Sequence, residues 1–231
     1  MNNPAARTSH GLRMRRRPSL VLALTLLGAS TLSLLAWDAA PVVAQQGAPT
    51  LDQLLRGFQT MPGLSARFTE EKQIALLSRP VRSEGVLYFA PPGRLMRRVT
   101  APTASAALIE GDTLTFVGDG RREQIPLGSN EVVGGFVSSF RHVLAGDRAA
   151  LERTFALRFE ALGGQRWRLR LTPRTDALRR FLTEMELVGA GAVVETMIMR
   201  EASGDVTTTT FSEVNAARRF TAAEARDLFR L

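Results

Sequence analysis

Ser83-Glu84-Gly85-Val86-Leu87-Tyr88-Phe89-Ala90-Pro91-Pro92-Gly93-Arg94-Leu95-Met96-Arg97-Arg98-Val99-Thr100 reads as two β-strands joined by a Pro-Pro-Gly turn. β-Branched and aromatic residues suit a pleated, half-buried surface, and the two prolines cannot continue a ladder. The run over 85–89 is apolar at consecutive positions, as in a strand covered on both sides or facing a cavity. Further period-two runs flank this pair at 66–73, 106–110, 113–117 and 123–125. Pro80, Pro102, Gly111-Asp112 and Gly118-Asp119-Gly120 supply the turn signals between them. Closely spaced strands with such turns predict an antiparallel meander.

Downstream the alternation is cleaner. Phe155, Leu157 and Phe159 alternate with Ala156, Arg158 and Glu160; Trp167, Leu169 and Leu171 alternate with Arg166, Arg168 and Arg170. One face of each strand therefore enters a core and the other meets water, so the Arg row reads as a solvated face. Strands at 181–188, 193–201 and 206–214 complete this second block. Helical spacing frames the strands. Thr50 and Gln53 form a capping box ahead of Leu51, Leu54, Leu55 and Phe58, and Pro62-Gly63 stops that helix. Over 129–146, Val132, Val133, Phe136, Val137, Phe140, Val143 and Leu144 make one apolar stripe that ends at Gly146. Gly134-Gly135 weakens this helix, since each Gly costs about 1 kcal/mol relative to Ala. It is expected to hinge there and act as a lid over an apolar cavity. Thr221 and Glu224 form a last capping box before a short helix that ends near Phe229. The order predicts an α+β fold, one curved antiparallel sheet with helices on a single side.

The N-terminus reads as an export signal. Arg13-Met-Arg-Arg-Arg17 precedes a short apolar run over 20–37, and Val42-Val43-Ala44 places small residues where a signal peptidase cuts. Cleavage at Ala44 is expected to release a single domain, residues 45–231, into the periplasm. The leader holds five Arg and one Asp, so the net charge falls from +8 to +4. The remaining basic residues are scattered among carboxylates and Tyr occurs once, which argues against nucleic-acid binding. There is no Cys, so neither disulfides nor a lipidated N-terminal Cys is available, and a soluble, monomeric protein is expected.

The inventory for chemistry is thin. A thiol nucleophile is excluded, and one His outside the leader, His142, cannot build the usual zinc sets. Ser138 and Ser139 are helix neighbours of His142 with no nucleophile-elbow motif around them. Glu184 and Glu186 share a strand face but read as solvated positions. No glycine pattern makes a phosphate cradle, and no cofactor motif occurs. The chain reads as a non-enzyme. By contrast, Met185, Met197 and Met199 fall on neighbouring strands, and Met is an adaptable liner for irregular hydrocarbon.

The order of motifs resembles the LolA-like periplasmic lipoprotein carriers. Leu64-Ser-Ala-Arg-Phe68-Thr-Glu-Glu-Lys72 resembles their opening strand, and Ser83-Glu-Gly85-Val-Leu87-Tyr-Phe89-Ala-Pro-Pro92 their glycine-led strand and proline turn. Arg94 through Pro102, Glu110-Gly-Asp-Thr-Leu-Thr-Phe116 and the lid position at 136–144 come in the family's order. The resemblance implies an incomplete antiparallel β-barrel whose concave apolar face is capped by helices and holds acyl chains. It further implies lipoprotein or other lipid cargo, an inner-membrane donor complex and an outer-membrane acceptor. The residues expected to line the cavity and its lid are Leu87, Phe89, Leu95, Arg97, Leu114, Phe116, Phe136, Val137, Phe140, Leu144, Met185, Met197 and Met199. Arg97 shares a strand face with Leu95 and Val99, so an inward Arg97 requires an anionic partner. The chain departs from the family at Pro91, where an Arg that helps hold the lid is usual, at Arg97, which replaces an aromatic, and at Thr115 and Val117. The cargo is therefore open between lipoproteins, other lipids and glycolipid or pigment precursors. The alternative function is a sensing or interaction module of the same fold, specific for lipoproteins or hydrophobic peptides.

Overall fold

The computed structural model describes residues 47–129 and 131–231; the leader, its cleavage point and the side chain of Val132 lie outside the described residues. Helix α1 (Leu51–Gln59) begins at Thr50, whose hydroxyl accepts from the Gln53 amide at 3.3 Å while the Gln53 side chain accepts from the Thr50 amide at 2.9 Å. Both donors would otherwise be orphaned at a helix start. The first meander is β1 (Leu64–Gln73), β2 (Val81–Ala90), β3 (Arg94–Ala101), β4 (Ser105–Glu110), β5 (Thr113–Gly118) and β6 (Arg121–Pro126). A 3-10 turn at Leu127–Ser129 leads into α2 (Glu131–Leu144) and α3 (Arg148–Thr154). The second meander is β7 (Phe155–Gly163), β8 (Arg166–Pro173), β9 (Leu182–Ala190), β10 (Val193–Glu201) and β11 (Val206–Asn215), with α4 (Asp176–Arg179) between β8 and β9 and α5 (Ala222–Leu228) after β11.

The first and last strands join the two meanders. β1 pairs antiparallel with β11, Phe68 opposite Phe211, which makes one curved, unclosed antiparallel sheet in the order β6-β5-β4-β3-β2-β1-β11-β10-β9-β8-β7. Directly paired residues share a face, so register defines two sides. The front carries Phe89, Leu169, Leu171, Met185 and Leu187, which pack under Leu54 and Phe58 of α1, Val143 of α2, Leu151 of α3 and Leu178 of α4. Phe155, Trp167, Leu169 and Leu171 expose none of their surface, as their alternation predicts.

The back carries Tyr88, Met96 and Leu108, and these are covered by Phe220, Leu228 and Phe229 around α5. The expectation of helices on a single side is thus corrected. Alternation points Met96 away from its neighbours Leu95 and Arg97, and the apolar end of the chain covers it. Phe220 meets Tyr88 and Phe229 edge-on at 6.3 and 5.6 Å, a preferred ring geometry, and Arg98 donates to the carbonyls of Leu228 and Arg230. The two-sided apolar run of β2 is explained, since helices lie on both of its faces. Gly85 in that strand is needed for closeness, because a Cβ there would overlap the Arg98 carbonyl and press on the Phe68 ring.

The Arg row of β8 lies on the back in a salt-bridge network. Arg170 meets Glu186 at 2.7 Å and Glu160 at 3.2 Å, and Arg168 meets Glu160 at 3.3 Å. Burial pushes the Glu160 carboxyl up, but the Arg168 hydrogen bond and the fields of Arg170, Arg158 and Arg168 outweigh it and hold the group below its usual range. Arg170 is raised, chiefly by its hydrogen bond to Glu186. Glu184 lies 3.5 Å from Arg200, so both carboxylates of the Glu184/Glu186 pair face arginines rather than each other. The described residues form a compact unit built around three apolar clusters.

Candidate functional site

Between α1, α2 and the front of the sheet lies an almost wholly apolar cavity of about 50 Å³. Its roof is Phe58 and Met61 at the end of α1 and Phe140, Val143 and Leu144 on the last turns of α2. Its floor is Leu64 and Ala66 of β1, Leu87 of β2, Leu187 of β9, Val194 and Met197 of β10, and Phe211 and Val214 of β11, with Ala192 at the rim. Ligand pockets usually measure about 300–1,000 Å³. The void is therefore much smaller than a ligand pocket in this conformation and must widen to hold one.

The first half of the roof helix is buttressed. Val137 packs with Ile109 and Leu127, and Phe136 meets Phe181 edge-on at 6.4 Å. A Cβ on Gly134 would overlap the Leu127 carbonyl, and one on Gly135 would press on Leu178 at 3.2 Å. The double glycine thus serves close approach to the 3-10 turn and α4, which replaces its reading as a hinge. Gly134→Ala is expected to destabilise the protein by about 1–3 kcal/mol through overpacking, despite an intrinsic helix gain of about 1 kcal/mol. Urea unfolding decides the sign; a stabilised variant restores the hinge reading.

Toward the other end of β1 the front turns polar. Arg97 lies over the Phe68 ring at 4.4 Å and meets Glu70 at 2.9 Å, and Glu70 also accepts from Thr209 at 3.2 Å and Ser83 at 3.4 Å. The inward Arg97 thus has its anionic partner within the chain. Beyond it Lys72 is raised, first by its hydrogen bond to Glu201 at 2.7 Å and less by Asp205, against an opposing effect of burial. Ser139 spends its hydroxyl on the Gly135 carbonyl at 2.6 Å, while His142 Nδ1 is 3.7 Å from Asp147. Among the described residues no group of three or more His, Cys, Asp or Glu gathers as a metal site.

Residues 43–230 match the family described as outer membrane lipoprotein carrier protein LolA-like. The chain belongs to that LolA-like family. Among curated proteins, none is significantly similar to it in sequence. Among solved structures, a LolA superfamily protein from Nitrosomonas europaea superposes with TM-score 0.42 at 12% identity, covering 76% of this chain and 97% of the other. An outer membrane lipoprotein-sorting protein domain from Vibrio parahaemolyticus gives 0.46 at 13%, covering 78% and 97%. Lipoprotein LppX from Mycobacterium tuberculosis gives 0.40 at 11%, covering 71% and 91%. At these scores the family match, and not the neighbours, carries the assignment.

In this LolA-like chain the register puts every strand residue expected to line the cavity on the front face. Leu87 pairs with Arg97 and Phe89 with Leu95; Leu95 leads through Ile109 to Leu114, and Arg97 through Ala107 to Phe116. Met197 and Met199 pair with Leu187 and Met185. The cavity gathers Leu87, Phe140, Leu144 and Met197. Phe89 and Met185 are instead core, with Leu95, Phe136 and Met199 packed on it. Val137 and Leu114 belong to the Ile109 cluster, and Phe116 is 39% exposed at the far end. Pro91 stands in the β2–β3 turn, and Arg141 of α2 reaches that turn from the roof. It donates to the Gly111 carbonyl at 3.1 Å, sits 3.5 Å from Asp112 and lies beside Gly93.

Proposed function

We propose that this LolA-like chain, freed of its leader at Ala44, is a periplasmic carrier that holds acyl chains of lipoproteins or related lipids in the cavity under α2. It receives them from an inner-membrane donor and passes them to an outer-membrane acceptor. One observation carries this reading: the apolar void is roofed by a helix whose cavity-facing end is latched by a partly exposed arginine. Each acyl CH₂ withdrawn from water is worth about 0.8 kcal/mol. A carrier therefore needs apolar area and a roof that opens, and its work breaks no bond. Latching through Arg141 suits reversible opening, because an exposed ion pair is worth only about 0–1 kcal/mol.

Native mass spectrometry with lipid extraction, on protein recovered from periplasm, tests the reading. Acylated material is expected to co-purify, and a fluorescent fatty acid added to delipidated protein is expected to bind and be displaced by it. A clean apo mass together with no fatty-acid binding rejects the carrier function.

A further inference from the structure

The connection between β1 and β2 differs in chemistry from the other turns of the sheet. Those are built on Pro91-Pro92-Gly93, Pro102-Thr103-Ala104, Gly111-Asp112, Asp119-Gly120, Gly163-Gly164, Gly191 and Ser203-Gly204, whereas this one reads Ile74-Ala75-Leu76-Leu77-Ser78-Arg79-Pro80. Turns favour Gly, Pro, Asn, Asp and Ser for backbone reasons, and none of those reasons calls for two leucines. Leu76 is 95% exposed, and Leu77 and Val81 are each 47% exposed. The loop is nevertheless held in place. The Leu77 amide donates to the Ile74 carbonyl at 2.9 Å, and the Gln73 side chain to the Leu77 carbonyl at 3.2 Å. Asp205, in the β10–β11 turn, accepts from the Ala75 amide at 3.0 Å and meets Lys72 at 3.5 Å. Two leucines are thus presented to water on a tethered hairpin end.

We propose that this hairpin tip docks the protein reversibly on an anionic lipid bilayer by inserting Leu76 and Leu77 between headgroups. Size separates a bilayer from a protein partner. A stable protein interface buries about 800 Å² on each side, far more than these few side chains offer, whereas a lipid surface takes up apolar side chains in proportion to their area. Beside the leucines one basic side chain is left to meet anionic headgroups. Lys72 is engaged by Glu201 and Asp205, and Arg82 by Glu71, but Arg79 is exposed and has no ion-pair partner among the described residues. A basic residue next to an inserting apolar tip is attracted by anionic headgroups.

The tip lies at the opposite end of β1 from Leu64 and Ala66, which floor the cavity, so docking and cargo binding are separable. Flotation of residues 45–231 with vesicles of phosphatidylethanolamine and phosphatidylglycerol tests the proposal. The wild type is expected to float, and Leu76→Ser/Leu77→Ser to bind at least about tenfold more weakly, because burying one Leu is worth at least about a decade in an equilibrium constant. Arg79→Gln is expected to fall between them on these vesicles and to match the wild type on phosphatidylcholine. Melting temperature and fatty-acid binding are expected to stay unchanged in all variants, since the replaced side chains are exposed. No flotation of the wild type, equal flotation of the double variant, or loss of fatty-acid binding in the double variant overturns the proposal; absence of fatty-acid binding by the wild type counts against the carrier function and leaves docking standing.

Discussion

Replacing Trp167 with alanine is expected to cost about 3–5 kcal/mol of folding free energy. The indole is wholly buried, stands edge-on to Phe58 of α1 with ring centroids 6.4 Å apart, and donates through Nε1 to the Gly191 carbonyl at 2.8 Å. On the strand opposite, a Cβ on Gly189 would overlap the Val193 carbonyl and also come within 2.8 Å of the ring. Truncation leaves a void that neither the β8–β9 backbone nor α1 can close without moving. Total stabilities run to about 5–15 kcal/mol, so the loss lowers the melting temperature by roughly 6–20 °C in a domain of this size. Trp167→Phe keeps most of the ring contact and is expected to cost markedly less. Urea unfolding monitored by circular dichroism measures both. A loss below about 1 kcal/mol for the alanine variant means that α1 is not anchored on this side chain. The consequence reaches the cavity as well, because Phe58 is shared between the indole and the cavity roof.

The legible parts of this molecule are those where periodicity and burial coincide. Trp167, Leu169 and Leu171 alternate with arginines, and that pattern alone places them in the core. Cross-strand pairing then puts Leu87, Leu114 and Met197 on the same face, as their strands' own alternation requires. What alternation does not encode is which part of an apolar face is roofed by a helix and which is packed solid. Leu87 and Phe89 are two residues apart on one strand, yet only Leu87 meets the void. Phe211 and Val214 both line the cavity at a spacing that breaks period two. The cause is an irregularity in the β1–β11 pairing, where Glu213 takes a positive φ of 50° and the register shifts between Ser65 and Arg67. A bulge of this kind inserts an extra residue and re-aims the side chains on its far side. The helices α3 and α4 are too short for a periodic signature and rest on single caps, Asp147 and Thr175. The side taken by α5 depends on Met96 across the sheet, a long-range contact that no local pattern encodes.

Filling the void from its floor is expected to abolish most cargo binding while leaving the fold intact. Ala66 is the smallest floor residue on β1, is 5% exposed and pairs with Leu87. A graded series, Ala66→Val, Ala66→Leu and Ala66→Phe, pushes progressively more side chain into a space of about 50 Å³. Each acyl methylene excluded removes about 0.8 kcal/mol of binding. If the phenyl displaces about four of them, fatty-acid affinity falls by about two decades, with Val and Leu giving intermediate losses. Stability takes a different course. Val fills part of an existing void and is expected to be nearly neutral, whereas Phe exceeds it and costs about 1–3 kcal/mol. Affinity and stability are therefore expected to part company at Val and Leu, where binding falls in a protein that unfolds much like the wild type. Titration of a fluorescent fatty acid, alongside urea unfolding of each variant, gives both quantities. Undiminished affinity across the series places the cargo elsewhere on the molecule. Affinity that falls only in step with stability means that the floor at Ala66 supports the fold without touching the ligand.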